Sequence, residues 1–118
     1  MERFAYQGLH YGWTLPPRRL EGDWILIELR PAALLSGYRI RSGTDESPSD
    51  RLYDTVVELL PATAAGADYV AVGAVDELGR ADGHVDWRRF GPVAAVRLNI
   101  RRPSRHHIKI AEVRVELH

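Results

Sequence analysis

Arg41, Ser42 and Gly43 open a polar run through Thr44, Asp45, Glu46, Ser47 and Pro48 that closes on Asp50 beside Arg51. A carboxylate acceptor set between guanidinium donors suits a neutral polyhydroxyl ligand. The run is about a dozen residues long, more than a plain hairpin needs, and long loops in compact domains often carry function. Trp13 lies next to Gly12 in a loop-like stretch with Gly8, Pro16 and Pro17. An indole in such a loop either stacks on the apolar C–H face of a sugar or caps the core, and its position leaves both open.

Other chemistries find less support. The chain has no cysteine, and it contains no nucleophile elbow, no zinc-protease helix and no phosphate-cradling glycine loop. His106 and His107 are sequence neighbours, so on a strand they point to opposite faces and do not readily share one metal. Asp45, Glu46, Asp50 and Asp54 offer oxygens for calcium but lack the EF-hand spacing. Paired carboxylates for glycoside hydrolysis are not excluded by spacing, yet a chain of 118 residues leaves little room for a water-excluding cleft. Neither catalysis, nor a cofactor, nor a metal is expected. The cluster Arg101, Arg102, Arg105, His106 and His107 could contact phosphates, but a solvated loop is the commoner use of such a run. The formal net charge is zero, so no global field draws nucleic acid or an anionic membrane to the chain. Lys109 is the only lysine among the 16 basic residues.

These residues must be positioned by strands. Asp23–Arg30 alternates with one fully apolar face and is ended by Pro31; Ala32–Leu35 is too short for more than a helical turn. Tyr38–Arg41 and Tyr53–Leu60 read as the two strands of a central hairpin, the second stopped by Pro61. Asp68–Val75, a short His84–Trp87, Val93–Ile100 and a cleanly alternating Ile108–Leu117 follow. Residues 1–22, the stretch 62–67 and Asp76–Gly83 read as loop or turn. Trp24 and Trp87, on strands, are packing residues. Six to eight short strands without a convincing helix predict one all-β domain over residues 1–118, an antiparallel β-sandwich. No signal peptide and no membrane-length apolar stretch is present, so a soluble chain is expected, either whole or a domain of something longer.

The central stretch resembles the C-terminal domain of N-acetylglucosaminyltransferase IV, the Golgi enzyme that adds a β1,4-linked GlcNAc branch to N-glycans. The resemblance is carried by Arg41-Ser42-Gly43, Glu46, Pro48, Asp50-Arg51-Leu52-Tyr53-Asp54-Thr55 and Val57-Glu58-Leu59-Leu60-Pro61. Gly22-Asp23-Trp24-Ile25, Tyr69 to Gly73, Gly91-Pro92 with Val96-Arg97-Leu98, and Ile110 to Val113 extend it in collinear order over roughly residues 10–117.

The resemblance implies a jelly-roll of galactose-binding-like (discoidin-like) type, related to the family 32 carbohydrate-binding modules. It implies a non-catalytic lectin for glycans ending in β-linked GlcNAc, with the catalytic domain lying outside this match. The family's essential carboxylate falls on Asp50, which could accept from two neighbouring sugar hydroxyls. Arg41 would donate to sugar oxygens, Ser42 and Gly43 would allow close backbone approach, and Arg51, Trp13 and His107 would complete the site. The Tyr11–Trp13, Arg41–Asp50 and Arg102–His107 loops are expected to gather at one end of the sandwich. There are departures: Ser104-Arg105-His106-His107 stands where the family has S-P-V-W, so His107 replaces a stacking indole, and Ser47 replaces a histidine. The missing indole at His107 favours, as the alternative, a protein-interaction module that keeps the sandwich without the sugar site. Avidity for a glycan would come from homo-oligomers or a tethered catalytic domain.

Overall fold

The computed structural model describes residues 2–5, 13–15, 23–43, 50–63, 68–102 and 107–118. Among them the strands are β1 (Glu2–Ala5), β2 (Trp13–Leu15), β3 (Asp23–Ala33), β4 (Leu35–Ser42), β5 (Thr55–Pro61), β6 (Val70–Ala74), β7 (Arg80–His84), β8 (Val93–Ile100) and β9 (Ile108–Leu117). One helical turn, α1 (Trp87–Phe90), separates β7 from β8. The strands form two sheets, ordered β1-β3-β8-β5-β6 and β2-β9-β4-β7. Every pairing is antiparallel except that of β1 with β3. The expected all-β sandwich is what the chain forms.

Period-two patterning explains the layers. Ile25, Ile27, Leu29, Val57, Leu59, Val96, Leu98 and Ile100 face inward from the five-stranded sheet, against Tyr38, Ile40, Ala81, Ile108, Ile110, Val113 and Val115 from the other. Burying each large aliphatic side chain is worth about 1.5–3 kcal/mol, so the core is the principal source of cohesion. Tyr38 is only 4% exposed. Its ring lies against Gly83, where a Cβ would come within 2.5 Å of the ring, and its hydroxyl reaches Gly73 and donates to the Val72 carbonyl at 3.4 Å. It therefore ties β4 to β6 in the opposite sheet. Burial raises the Tyr38 pKa, with Asp82 adding to the effect.

Several local expectations are corrected. Tyr38–Arg41 and Tyr53–Leu60 do not make a hairpin: β4 and β5 lie in different sheets. The strands on either side of the polar run therefore lie in different layers, which sit about 10 Å apart. Alternation shows which face a strand buries but not which sheet it joins. Pro31 does not end β3, which continues to Ala33 through a register shift against β8 between Glu28 and Ala33; bulges tolerate a proline that cannot donate to the ladder. Ala32–Leu35 is accordingly the junction of β3 and β4, with only Leu34 outside a strand, rather than a helical turn. Residues 1–22 contain β1 and β2, and Arg80–Gly83, expected in the Asp76–Gly83 turn, joins His84 as an edge strand paired to β4. Of the expected strand His84–Trp87 only His84 is in a strand, as the last residue of β7. The Asp86 side chain accepts from the Arg88 N–H at 3.1 Å and starts α1 instead, as an N-cap does. Trp87 stacks on His118, ring centroids 4.3 Å apart, whereas Trp24 is half-buried on β3.

The alternation of β9 also slips once. Ser42 pairs with Ile110 and Arg41 with Glu112, so Ala111 is the extra residue of a β-bulge. No helix among the described residues is long and apolar enough to cross a membrane.

Candidate functional site

The start of the polar run is anchored by backbone bonds. The Gly43 N–H donates to the Lys109 carbonyl at 2.7 Å, fastening the run to the start of β9. The Ser42 hydroxyl donates to the Gly79 carbonyl at 2.7 Å and accepts from the Leu52 N–H at 2.9 Å. Ser42 is thus buried, its oxygen engaged on both sides, tying the two ends of the run to the β6–β7 turn. Its contribution is to hold the loop in place, not to present a hydroxyl. Leu52 is fully buried directly behind Arg51 in the chain.

Asp50 returns toward β9, its carboxylate 3.9 Å from the Lys109 ammonium and its side chain 18% exposed. The Arg101 N–H donates to the Asp54 carbonyl at 3.0 Å, and the Arg102 guanidinium lies 4.7 Å from the centre of the Tyr53 ring. The β4–β5 and β8–β9 connections therefore meet at one end of the sandwich. His107 is exposed and immediately precedes β9. Trp13 pairs with Ile110, which on its other side pairs with Ser42; its backbone thus stands two strand spacings, roughly 9–10 Å, from Ser42. Residues 44–49 and 103–106, with Asp45, Glu46, Ser47 and His106, lie outside the described residues.

Beside this end opens a cleft of about 390 Å³, lined by Arg41, Ser42, Gly43, Arg51, Leu78, Arg80 and Ala111. Four of the seven were named from sequence. Leu78, Arg80 and Ala111 were not, because they come from β6–β7 and β9, distant in the chain. The lone apolar residue within the Asp76–Gly79 turn was the only sign of Leu78.

The cleft's guanidiniums differ in commitment. Arg41 donates to both carboxylate oxygens of Asp82, at 3.0 and 2.9 Å, and to the Ile40 carbonyl at 2.8 Å. The Asp82 carboxyl is held below the usual carboxylate range chiefly by this bond, and the Arg41 pKa is raised by the same one. Arg80 approaches Asp76 at 3.4 Å. The Asp76 carboxylate accepts from the Leu78 and Arg80 N–H groups at 2.9 and 3.0 Å, which lowers its pKa, the Arg80 bond first. Arg51 packs its aliphatic stem across Gly43 and Gly79, both at left-handed φ, +82° and +72°. A Cβ at Gly43 would collide with the Arg51 Cγ, and one at Gly79 with the Ser42 hydroxyl. Among the described residues, groups of three or more side chains suited to a metal are absent.

Comparison with known proteins agrees with the motif. A family model described as the MGAT4 C-terminal domain matches residues 2–112. The chain is 30% identical to alpha-1,3-mannosyl-glycoprotein 4-beta-N-acetylglucosaminyltransferase B of Danio rerio over 92% of its own length and 23% of the relative's. It is 29% identical to the A enzyme of Bos taurus, covering 81% of this chain and 20% of that protein. The B enzyme of Homo sapiens is 29% identical over 92% of this chain and 23% of its own. The chain thus spans between a fifth and a quarter of the length of these relatives, and the match falls on their C-terminal domain. With the β-sandwich and the Arg41–Pro61 motif both in place, this chain belongs to the MGAT4 C-terminal domain family.

Proposed function

We propose that this domain is a non-catalytic lectin that binds glycans ending in β-linked GlcNAc at the end of the sandwich where Asp50, Arg51 and β9 meet. The observation that supports it best is the convergence of the two connections on Asp50, next to a cleft of monosaccharide dimensions. Asp50 supplies the anionic acceptor for a pair of sugar hydroxyls. Arg51 supplies a donor, and Gly43 leaves room beside it. Arg41 and Ser42, engaged with Asp82, Gly79 and Leu52, hold the walls. His107 immediately precedes β9 at the same end, and the backbone of Trp13 lies on β2 beside β9.

Such a site is weak per sugar. GlcNAc has about 15 heavy atoms, and at roughly 0.3 kcal/mol each the gain is about 4–5 kcal/mol, a Kd near millimolar. Avidity then comes from the catalytic domain that accompanies the sandwich in the relatives, or from association of copies. An NMR titration with GlcNAc, galactose and mannose tests the reading. Shifts confined to Gly43, residues 50–54 and Lys109, for GlcNAc alone, are expected, and Asp50→Asn should abolish them while leaving the melting temperature nearly unchanged. No shifts at tens of millimolar would retire the lectin reading in favour of a protein-interaction module, which the commitment of Arg41 to Asp82 would suit.

A further inference from the structure

We propose that Leu78, the bulge residue Ala111 and the guanidinium of Arg51 form a subsite for the 2-acetamido group of the bound sugar, with the methyl against Leu78 and Ala111 and the carbonyl accepting from Arg51. This rests on the lectin reading above and assigns the part of the cleft that selects the N-acetylated sugar.

Two independent features converge on it. The first is a donor that has no ion-pair partner among the described residues. Of the three guanidiniums lining the cleft, Arg41 is paired with Asp82 and Arg80 with Asp76. Among the described residues, Arg51 has no carboxylate within ion-pair distance. Its stem is nonetheless closely fitted, passing over Gly43 and Gly79, where any side chain would intrude. Holding two residues at left-handed φ leaves a path that only glycine provides without strain. The result is a fixed donor at the cleft wall.

The second feature is an apolar surface next to that donor. Leu78 directly precedes Gly79 and is 46% exposed. An exposed leucine alone means nothing, but this one is held in place. Its N–H donates to the Asp76 carboxylate at 2.9 Å, and the Gly79 N–H donates to the Asp76 carbonyl at 3.0 Å. Across the cleft, Ala111 is the residue that the β9 bulge inserts; bulges re-aim side chains beside functional sites. Two residues before it on the strand stands Lys109, whose ammonium is 3.9 Å from the Asp50 carboxylate. That step is about 7 Å along a strand, close to the width of a pyranose ring. A sugar whose hydroxyls meet Asp50 therefore places a ring substituent over Ala111. An acetamido group is the common sugar substituent that needs both an N–H donor for its oxygen and an apolar wall for its methyl.

The test is an NMR titration of the labelled protein and its Leu78→Ser and Arg51→Gln variants with GlcNAc and with glucose, which carries a hydroxyl in place of the acetamido group. The same spectra report whether each variant is folded. The wild type should prefer GlcNAc. Leu78→Ser should weaken GlcNAc by roughly three- to tenfold with glucose unchanged, and Arg51→Gln should weaken GlcNAc by about tenfold. An undiminished GlcNAc preference in both variants overturns the subsite and leaves the lectin reading standing. An equal loss for both sugars in Leu78→Ser also overturns it, since Leu78 would then be a general wall. Tighter binding of glucuronate than of GlcNAc by the wild type would reassign Arg51 to an oxyanion. Failure of the wild type to bind any sugar removes the lectin reading, and the subsite with it.

Discussion

Arg41 and Arg51 line the same cleft, yet the protein uses them in opposite ways. Arg41 leaves the outer face of β4 and closes a bidentate pair with Asp82 on the neighbouring β7. The same face continues the pattern with Arg39, whose guanidinium is 2.8 Å from Glu112, and Arg114, 3.4 Å from the same carboxylate. These are cross-strand ladders of opposite charge, a normal way to finish a solvated sheet. Arg51 lies off the ladders, on the return of the β4–β5 connection, its stem fitted over two glycines. Among the described residues Arg51 has no ion-pair partner, so lining a cavity and being committed to a carboxylate are separate properties. A count of cationic residues would have ranked the two alike; their partners distinguish them.

The contrast is broken most forcefully at Gly79. Gly79→Ala forces a Cβ toward the Ser42 hydroxyl at φ +72° and should cost about 2–3 kcal/mol, seen as a lower urea midpoint with an unchanged m-value. A change below about 0.5 kcal/mol would show that the seat of Arg51 is loose. A smaller effect is expected at the ladder. Because Asp82 is 60% exposed and Arg41 24% exposed, Arg41→Ala should lose no more than about 1 kcal/mol. A double-mutant cycle with Asp82→Ala isolates the pair, and a coupling well beyond that would move Arg41 from surface finishing to the framework of the site.

The smallest effect is that of pH. Asp82 and Asp76 have folded-state pKa values lowered from 3.8, the first mainly by Arg41 and the second mainly by the Arg80 N–H. A depressed carboxylate contributes stability that is complete above its unfolded value and is lost as pH falls through the folded one. Melting temperature should therefore be insensitive to these groups between pH 7 and about pH 5 and should decline below about pH 4. The decline should be shallower in Asp82→Asn. An equally steep decline in that variant would mean that other carboxylates carry it.

Sequence patterning was informative where one face of a strand is buried and the partner is a near neighbour in layer. Val93–Ile100 and Ile108–Leu117 correspond to β8 and β9 end for end. The slip in β9 was missed: the strand reads as cleanly alternating, although Ile108 and Ile110 are out of phase with Val113 and Val115. β7 was not legible: Ala81 is its only buried side chain, and the strand exists because β4 offers it a hydrogen-bonding edge. Asp86 was a capping residue in plain sight, but α1 is too short to show a helical period. At the site, the motif placed Arg41, Ser42, Gly43, Asp50 and Arg51 near one another, and local chain geometry brings them there. That Ser42 would be buried, that Asp82 would take Arg41 and that Leu78 would face Arg51 all depend on contacts some 25 to 40 residues apart. Residue spacing contains no record of such contacts.

The Tyr38 ring has a consequence for how a ligand would be received. Seated against Gly83 of β7 and reaching Gly73 and the Val72 carbonyl of β6, it pins together the two edge strands that the Asp76–Gly79 turn joins. A turn whose both legs are riveted has little freedom left to surrender. Ordering loops and side chains on association normally consumes much of the gross interaction energy, about 0.5–1.5 kcal/mol for each rotamer-rich side chain immobilised. On this edge most of that entropy is removed when the chain folds, before any ligand arrives. A millimolar ligand with few contacts to offer can register only on a surface of that kind, and its dissociation would leave the cleft as it was found.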